Sequence, residues 1–131
     1  KRKGVEVTIF AISRAVHTAL AAAEILLEEK NISTEVVDLR TLAPLDVETI
    51  VSSVRKTGRA IVLDGGYKSF GITGEIAATI GELVFDYLDA PVMRLAAPDI
   101  PVPYSPSLES LMVPSVDQVV AKVATMFGGS V

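Results

Sequence analysis

Few residues of this 131-residue chain have side chains suited to catalysis or ligand binding, and those few are scattered. There is one histidine, His17, and no cysteine. That excludes a histidine-rich metal centre, a thiolate metal site and a disulfide framework. His17 also lacks a neighbour in sequence, carboxylate or nucleophile, that would orient it for acid–base work. Together with Arg14 it could form an anion site at a helix start, where free backbone amides and a positive charge favour a phosphate or carboxylate. The plainer reading is a capped helix, a surface arginine and a histidine used in packing or a subunit contact.

Two further features invite a chemical reading. The glycines of the run from Asp64 to Gly74 suggest a phosphate cradle, but their spacing fits neither the dinucleotide fingerprint nor the P-loop, which ends in Gly-Lys followed by Ser or Thr. They serve better as a sharp strand-to-helix turn with close backbone packing. Asp64 would end the third strand, where response-regulator receivers carry their phosphorylated aspartate. Such receivers also need an acidic pair after the first strand to hold magnesium, and here that place reads Ala11-Ile12-Ser13. Phosphoryl transfer would therefore lack its main charge stabiliser. The acids Glu82, Asp86 and Asp89 remain. They fall at the end of a helix, where negative charge opposes the macrodipole. They form either a solvated face or a surface kept to attract a basic partner. No catalytic, cofactor-binding or metal-ligating residue is assigned.

The elements that must position these residues follow from periodicity. Residues 5–12 are apolar at odd and even positions alike, as in a strand buried on both faces of a parallel sheet. Ser13 is the expected cap of a helix over residues 14–30, with Val16, Ala19, Leu20, Ala23, Leu26 and Leu27 inward and Asn31 as a left-handed stop. Residues 32–39 read as a second strand, and Pro44 closes a turn. Asp46 caps a helix with Val47, Ile50, Val51 and Val54 inward, which Gly58 stops. A third strand over 60–63 leads into the glycine loop. The next helix carries Ile72, Ile76, Ile80, Leu83, Val84 and Tyr87 on one stripe, and residues 92–96 form a fourth strand.

Five prolines between Pro98 and Pro114 predict an extended, locally rigid excursion, with Ile100, Val102, Tyr104, Leu108 and Leu111 as apolar anchors. Ser115 and Gln118 form a capping box for a last helix that turns Val116, Val119, Val120 and Val123 inward. Strands joined by amphipathic helices give a parallel sheet in a three-layer α/β/α sandwich, one domain over residues 1–131. The composition agrees, with 50% hydrophobic and 21% charged residues. A net charge of −4 argues against nonspecific nucleic-acid binding. No apolar run approaches the roughly 20 residues of a membrane span, and the basic start KRKG does not read as a signal peptide.

Beyond periodicity, three stretches carry a resemblance: SRAVHTALAAAEILLEEKNISTEVVDLRTLAPLD, VRKTGRAIVLDGGYKSFGITGEIAA and FDYLDAPVMRLAAPDIPVPYSPSLE. They closely resemble the C-terminal domain, transketolase-C-like, of beta subunits of thiamine-diphosphate-dependent 2-oxoacid dehydrogenases of the pyruvate dehydrogenase type. EVVDLRTLAPLD followed by VRKTGRAIV is especially characteristic, as is DYLDAPVMR with its P-x-P-Y continuation. The resemblance covers residues 5–127, leaving 128–131 as a flexible tail. Transketolases and deoxyxylulose-phosphate synthases share the fold, but the proline-rich exit is more similar to the dehydrogenase branch. Asp64 departs from the glutamate of many beta subunits.

The resemblance implies a five-stranded, mostly parallel sheet; the pattern itself yields four, with the fifth to be sought in the proline-rich stretch or at Met112-Val113. It further implies a heterotetramer with an alpha subunit and a second beta subunit. Thiamine diphosphate and Mg²⁺ are held by the alpha subunit and the beta N-terminal domain, and no cofactor is expected on this domain. The remaining role is assembly and docking. The partner is the basic subunit-binding domain of the dihydrolipoyl acyltransferase core, with Glu82, Asp86 and Asp89 as candidates. Pyruvate is the expected substrate of the whole enzyme, and acetoin or branched-chain 2-oxoacids are alternatives. A transketolase-type transferase or a free-standing anion-binding module are readings of other classes. The expected compartment is the cytoplasm, or the mitochondrial matrix in a eukaryote.

Overall fold

A computed structural model describes residues 1–128. The strands β1 (Val7–Ala11), β2 (Thr34–Asp38), β3 (Ala60–Tyr67) and β4 (Met93–Ala97) form one sheet in the order β2-β1-β3-β4, and every pair is parallel. The helices are α1 (Ala15–Lys30), α2 (Val47–Thr57), α3 (Ile72–Val84), the short α4 (Pro106–Glu109) and α5 (Val116–Thr125).

Side chains of a strand alternate between faces, and β1 shows what that requires when both faces are covered. Val7, Ile9 and Ala11 pack with Ile61 and Leu63 against Val16, Ala19, Ala23 and Leu26 of α1 and Val119 and Val123 of α5. Phe10 faces the other way and joins Val62, Ile50 and Val54 of α2, and Ile76, Ile80 and Val84 of α3. Two helices on each face give the three expected layers. Each fully buried Ile, Leu or Phe contributes about 1.5–3 kcal/mol over an exposed one, so the two half-cores dominate stability.

The punctuation residues behave largely as their chemistry predicts. Asn31 (φ 54°) and Gly58 (φ 72°) stop their helices in the left-handed region. Asp46 accepts the Thr49 N–H at 3.1 Å. Ser115 and Gln118 close both bonds of the capping box. Ser13 does not cap α1: it adopts φ 55°, Arg14 takes the cap position, and no side chain caps this end. A serine cap requires extended backbone at the serine, which the left-handed Ser13 does not supply.

Several boundaries and faces also differ. The first strand starts at Val7, and Val5 is exposed. Leu27, Val47, Leu83 and Tyr87, expected inward, are exposed at the flanks or ends of their apolar stripes. The third strand runs through Asp64-Gly65-Gly66 to Tyr67, with a register irregularity after Leu63 and a further pairing of Tyr67 with Ala97. The proline-rich stretch is not extended throughout, because it contains α4 and a 3₁₀ turn (Ser110–Met112). Its expected anchors Ile100, Val102, Tyr104, Leu108 and Leu111 are exposed, and Met112 is the buried residue there. Neither that stretch nor Met112-Val113 supplies a fifth strand. The outer edge of β2 instead meets Arg2 in an antiparallel bridge, in which the Arg2 N–H donates to the Val36 carbonyl at 3.2 Å and the Val36 N–H donates to the Arg2 carbonyl at 2.9 Å. Of the flexible tail expected over 128–131, the last three residues lie outside the described ones.

The same edge holds a buried carboxylate. Glu35 on β2 accepts the Ser53 hydroxyl at 2.5 Å and the Lys56 ammonium, both from α2. Burial pushes its pKa up, but the hydrogen bonds from Lys56 and Ser53 and the Lys56 charge outweigh burial and hold it below the ordinary value of 4.5. A depressed carboxyl stabilises the fold above its unfolded pKa and loses that contribution as pH falls through the folded one. Glu35→Gln should therefore cost about 1–3 kcal/mol at neutral pH. The gap to wild type should narrow as pH drops below 4.5. Urea denaturation at a series of pH values checks this, and a gap that does not vary with pH would refute it.

Candidate functional site

Ligands of open parallel sheets bind beyond the carboxyl ends of the strands, where the strand order reverses. Here that point lies between β1 and β3, and a crevice of about 770 Å³ opens there. Ser13, Arg14 and His17 from the start of α1, Asp64 and Gly65 from β3, and Glu109 and Ser110 from the proline-rich stretch all line it. The fold thus brings His17 and Arg14 to the same crevice as two carboxylates that are distant in sequence. Neither cation forms an ion pair among the described residues.

The start of α1 is a poorer anion cradle than its position suggests. The N–H groups of Ala15, Val16 and His17 donate to the carbonyls of Ile12, Ser13 and Arg14 at 3.1–3.2 Å. The left-handed Ser13 produces this tight turn, which consumes the first amides of the helix. An anion here would be held by the Arg14 and His17 side chains alone. Nor do the residues fit a magnesium–diphosphate group. Among the described residues no group of three or more His, Cys, Asp or Glu could hold a metal ion. Gly65 and Gly66 lie in β3 rather than in a loop at a helix start.

The turn after β3 is built for shape. Gly71 has no room for a side chain, since a Cβ would stand 2.0 Å from the Tyr67 carbonyl oxygen. The left-handed residue of the turn is Phe70 (φ 57°), whose ring is fully exposed. Asp99, beyond β4, clasps this turn by accepting the Ser69 hydroxyl at 2.5 Å and the Ser69 N–H at 3.1 Å. These bonds lower the Asp99 pKa.

The three acids at the far end of α3 occupy distinct settings. Glu82 lies in the last turn of α3, which has no basic residue, and Asp86 lies in the 3₁₀ turn Phe85–Tyr87. Asp89 follows, with its N–H on the Gly58 carbonyl at 2.7 Å and its carboxylate 3.9 Å from Arg59. Arg59 also donates to the Met126 carbonyl at 3.3 Å and stacks 4.3 Å from the Phe127 ring centroid. Arg55 stands over the Tyr87 ring at 5.1 Å. Asp89 is therefore partnered, whereas Glu82 and Asp86 form no ion pair among the described residues. Sequence reading found the acids but missed the aromatics between them. Continuing the helical period of α3 turned Tyr87 inward, but the chain tightens to a 3₁₀ turn at Phe85 and rotates it outward.

The chain matches the family described as "Transketolase, C-terminal domain" over residues 1–119. It is 48% identical over 120 residues to the pyruvate dehydrogenase E1 component subunit beta-1, mitochondrial, of Oryza sativa subsp. japonica, covering 92% of this chain and 32% of that protein. It is 48% identical over 114 residues to the pyruvate dehydrogenase E1 component subunit beta of Rickettsia bellii, covering 87% of this chain and 35% of that protein. To the acetoin:2,6-dichlorophenolindophenol oxidoreductase subunit beta of Bacillus subtilis it is 43% identical over 128 residues, 98% of this chain and 37% of that one. The chain thus spans about a third of the length of these relatives. Among solved structures, a split-gene transketolase described as an inactive beta4 tetramer superposes with a TM-score of 0.79. It is 27% identical, covering 97% of this chain and 41% of that one. With the parallel α/β/α sandwich and a family match over most of its length, the chain belongs to the transketolase C-terminal-domain family.

Proposed function

We propose that this domain is the C-terminal assembly and docking part of the beta subunit of a thiamine-diphosphate-dependent 2-oxoacid dehydrogenase. The observation that carries the reading is the identity of 48% over 120 residues to a pyruvate dehydrogenase beta subunit. In such an enzyme the cofactor supplies the decarboxylation chemistry, and the protein positions it. The crevice beyond β1 and β3 lacks a converging ligand set for magnesium and diphosphate, which supports placing the cofactor on other parts of the enzyme. Pyruvate is the first reading of the substrate, after the pyruvate dehydrogenase beta subunits among these relatives, and the 43% identity over 128 residues to the beta subunit of an acetoin:2,6-dichlorophenolindophenol oxidoreductase keeps acetoin as the second. The compartment that goes with this role is the mitochondrial matrix in a eukaryote or the cytoplasm in a bacterium. No helix among the described residues is long and apolar enough to cross a membrane.

The partners in this reading are an alpha subunit, a second beta subunit and the dihydrolipoyl acyltransferase core. The acyltransferase presents a basic docking segment, and Glu82, Asp86 and Asp89 are the acids that receive it. Arg14 and His17, which form no ion pair among the described residues, are available to a neighbouring subunit or an anion at the crevice.

Calorimetric titration of the isolated chain with thiamine diphosphate and Mg²⁺ should show no tight binding, and the chain should not decarboxylate pyruvate. Submillimolar cofactor affinity would overturn the assembly reading. Deleting the domain from the full-length beta subunit should abolish co-purification of the alpha subunit. In the intact enzyme, Glu82→Lys with Asp86→Lys should weaken acyltransferase binding roughly tenfold or more and flatten its salt dependence, because charge pairs at an interface set both. Unchanged affinity and unchanged salt dependence would remove these acids from the docking surface.

A further inference from the structure

Exposed apolar surface is concentrated at the carboxyl end of the sheet. Of the fifteen large hydrophobic residues exposed among those described, eight lie at the end of β3 or in the segments that leave β3 and β4. The rings of Phe70 and Tyr104 are fully exposed, and Ile100, Val102 and Leu111 are each more than half exposed. Single exposed hydrophobics need no explanation, but such a concentration marks a surface that something covers. The segments form one rim. Asp99, after β4, holds the turn after β3 through Ser69, and Pro106, Glu109 and Val113 reach the crevice beyond β1 and β3. The backbone of the rim is open as well: among the described residues the N–H groups of Val102 and Tyr104 donate no hydrogen bond.

The path of the first residues shows at which end a longer chain would continue. The Glu6 N–H donates to the Ser33 carbonyl at 2.9 Å, while Arg2 pairs with Val36. This segment therefore runs antiparallel to β2, from the carboxyl end of the strand back to its start. Lys1 is held at that carboxyl end, with its side-chain ammonium 3.8 Å from Asp38, the last residue of β2. A residue joined before Lys1 emerges at the end of the sheet that bears the rim. Met126, near the other end of the chain, sits at the opposite side, where its carbonyl accepts from Arg59 just before β3.

We propose that the rim of Phe70, Ile100, Val102, Tyr104 and Leu111 is the seat of the preceding part of the same beta subunit. The inference rests on the beta-subunit reading above, in which a larger part of the chain precedes this domain; the matched region makes up 32% of the rice relative. The reach is sufficient. Adjacent strands lie about 4.8 Å apart, so the outer edge of β2 and β4 are separated by roughly 15 Å. Even a domain of about 100 residues has a radius of gyration of about 13 Å, so one attached at Lys1 spans that distance. Tethering favours this occupant over a separate subunit, because an attached partner is held at high effective concentration whatever the dilution.

The test uses the full-length beta subunit, alone and assembled with its alpha subunit. Without the alpha subunit, hydrogen exchange at the Val102 and Tyr104 amides should be at least roughly tenfold slower than in an unstructured peptide, although no bond within this domain protects them. Dilution should leave that protection unchanged. As a second measurement, Phe70→Cys and Tyr104→Cys should react with a small maleimide roughly tenfold or more slower than Glu28→Cys on the exposed side of α1. This domain has no cysteine of its own, so peptide mass spectrometry assigns each label. Rapid exchange and rapid labelling in both the free subunit and the assembled enzyme would overturn the proposal. Protection that appears only with the alpha subunit, or that fades on dilution, would assign the rim to a separate subunit or a second copy and overturn it equally. Decarboxylation of 2-oxoacids by the assembled enzyme tests the beta-subunit reading separately: an active enzyme with an uncovered rim loses only this inference.

Discussion

Strand β1 has a parallel neighbour on each edge and helices on each face, so none of its five residues reaches water. A strand in that position must satisfy its backbone entirely through β2 and β3, and must offer side chains of compatible volume to two separate cores. The other placements follow from it. The alternation of Val7, Ile9 and Ala11 against Phe10 assigns α1 and α5 to one side and α2 and α3 to the other. The one buried polar side chain of β1, Thr8, is matched by the Thr57 hydroxyl at 2.8 Å, near the end of α2. The central strand thus aligns the second helix as well as the sheet.

The two ends of the sheet divide the surface between different kinds of chemistry. At the carboxyl end, the turns after β1 and β3 put Ser13 and Phe70 into left-handed conformations and open a crevice where charges of both signs meet. The amides that an anion would use there are already spent on the turn itself. At the opposite end, α3 stops without a compensating cation, and the chain tightens into a short turn that exposes aromatics among acids. The first end is a crevice of mixed charge, while the second exposes Phe85 and Tyr87 among Glu82, Asp86 and Asp89, with Arg55 and Arg59 packed against Tyr87 and Asp89.

Element type and order were legible because they depend on long apolar periods and on a few residues with strong backbone preferences. Asn31, Gly58, Asp46 and the Ser115–Gln118 pair act locally, so their neighbours in sequence suffice to place them. The errors arose where distant contacts decide. Asp64-Gly65-Gly66 looks like a loop from its composition, yet pairing of Tyr67 with Ala97 keeps the strand going. Ser13 looks like a cap, but the chain needs its left-handed turn there to lead β1 into α1. The proline-rich apolar residues lack a period, and nothing in the sequence indicates that Met112 alone is covered. For the site, the acids were visible as letters. The exposed Phe85 was not, because its orientation depends on a change from α-helical to 3₁₀ geometry.

The antiparallel contact between Arg2 and Val36 has a consequence for solubility. An unpaired outer strand is a template for a foreign strand, and β2, with apolar Val36 and Val37 on it, would be an inviting one. The first residues shield part of that template and do so with Lys1, Arg2 and Lys3, a cluster of cations that discourages stacking of further chains. Gly4 makes the shielding possible, since any side chain there would collide with the Thr34 backbone at 2.2 Å and lift the segment away. Trimming these few residues would remove little from the core, but it would leave the outer edge of β2 open to a foreign strand.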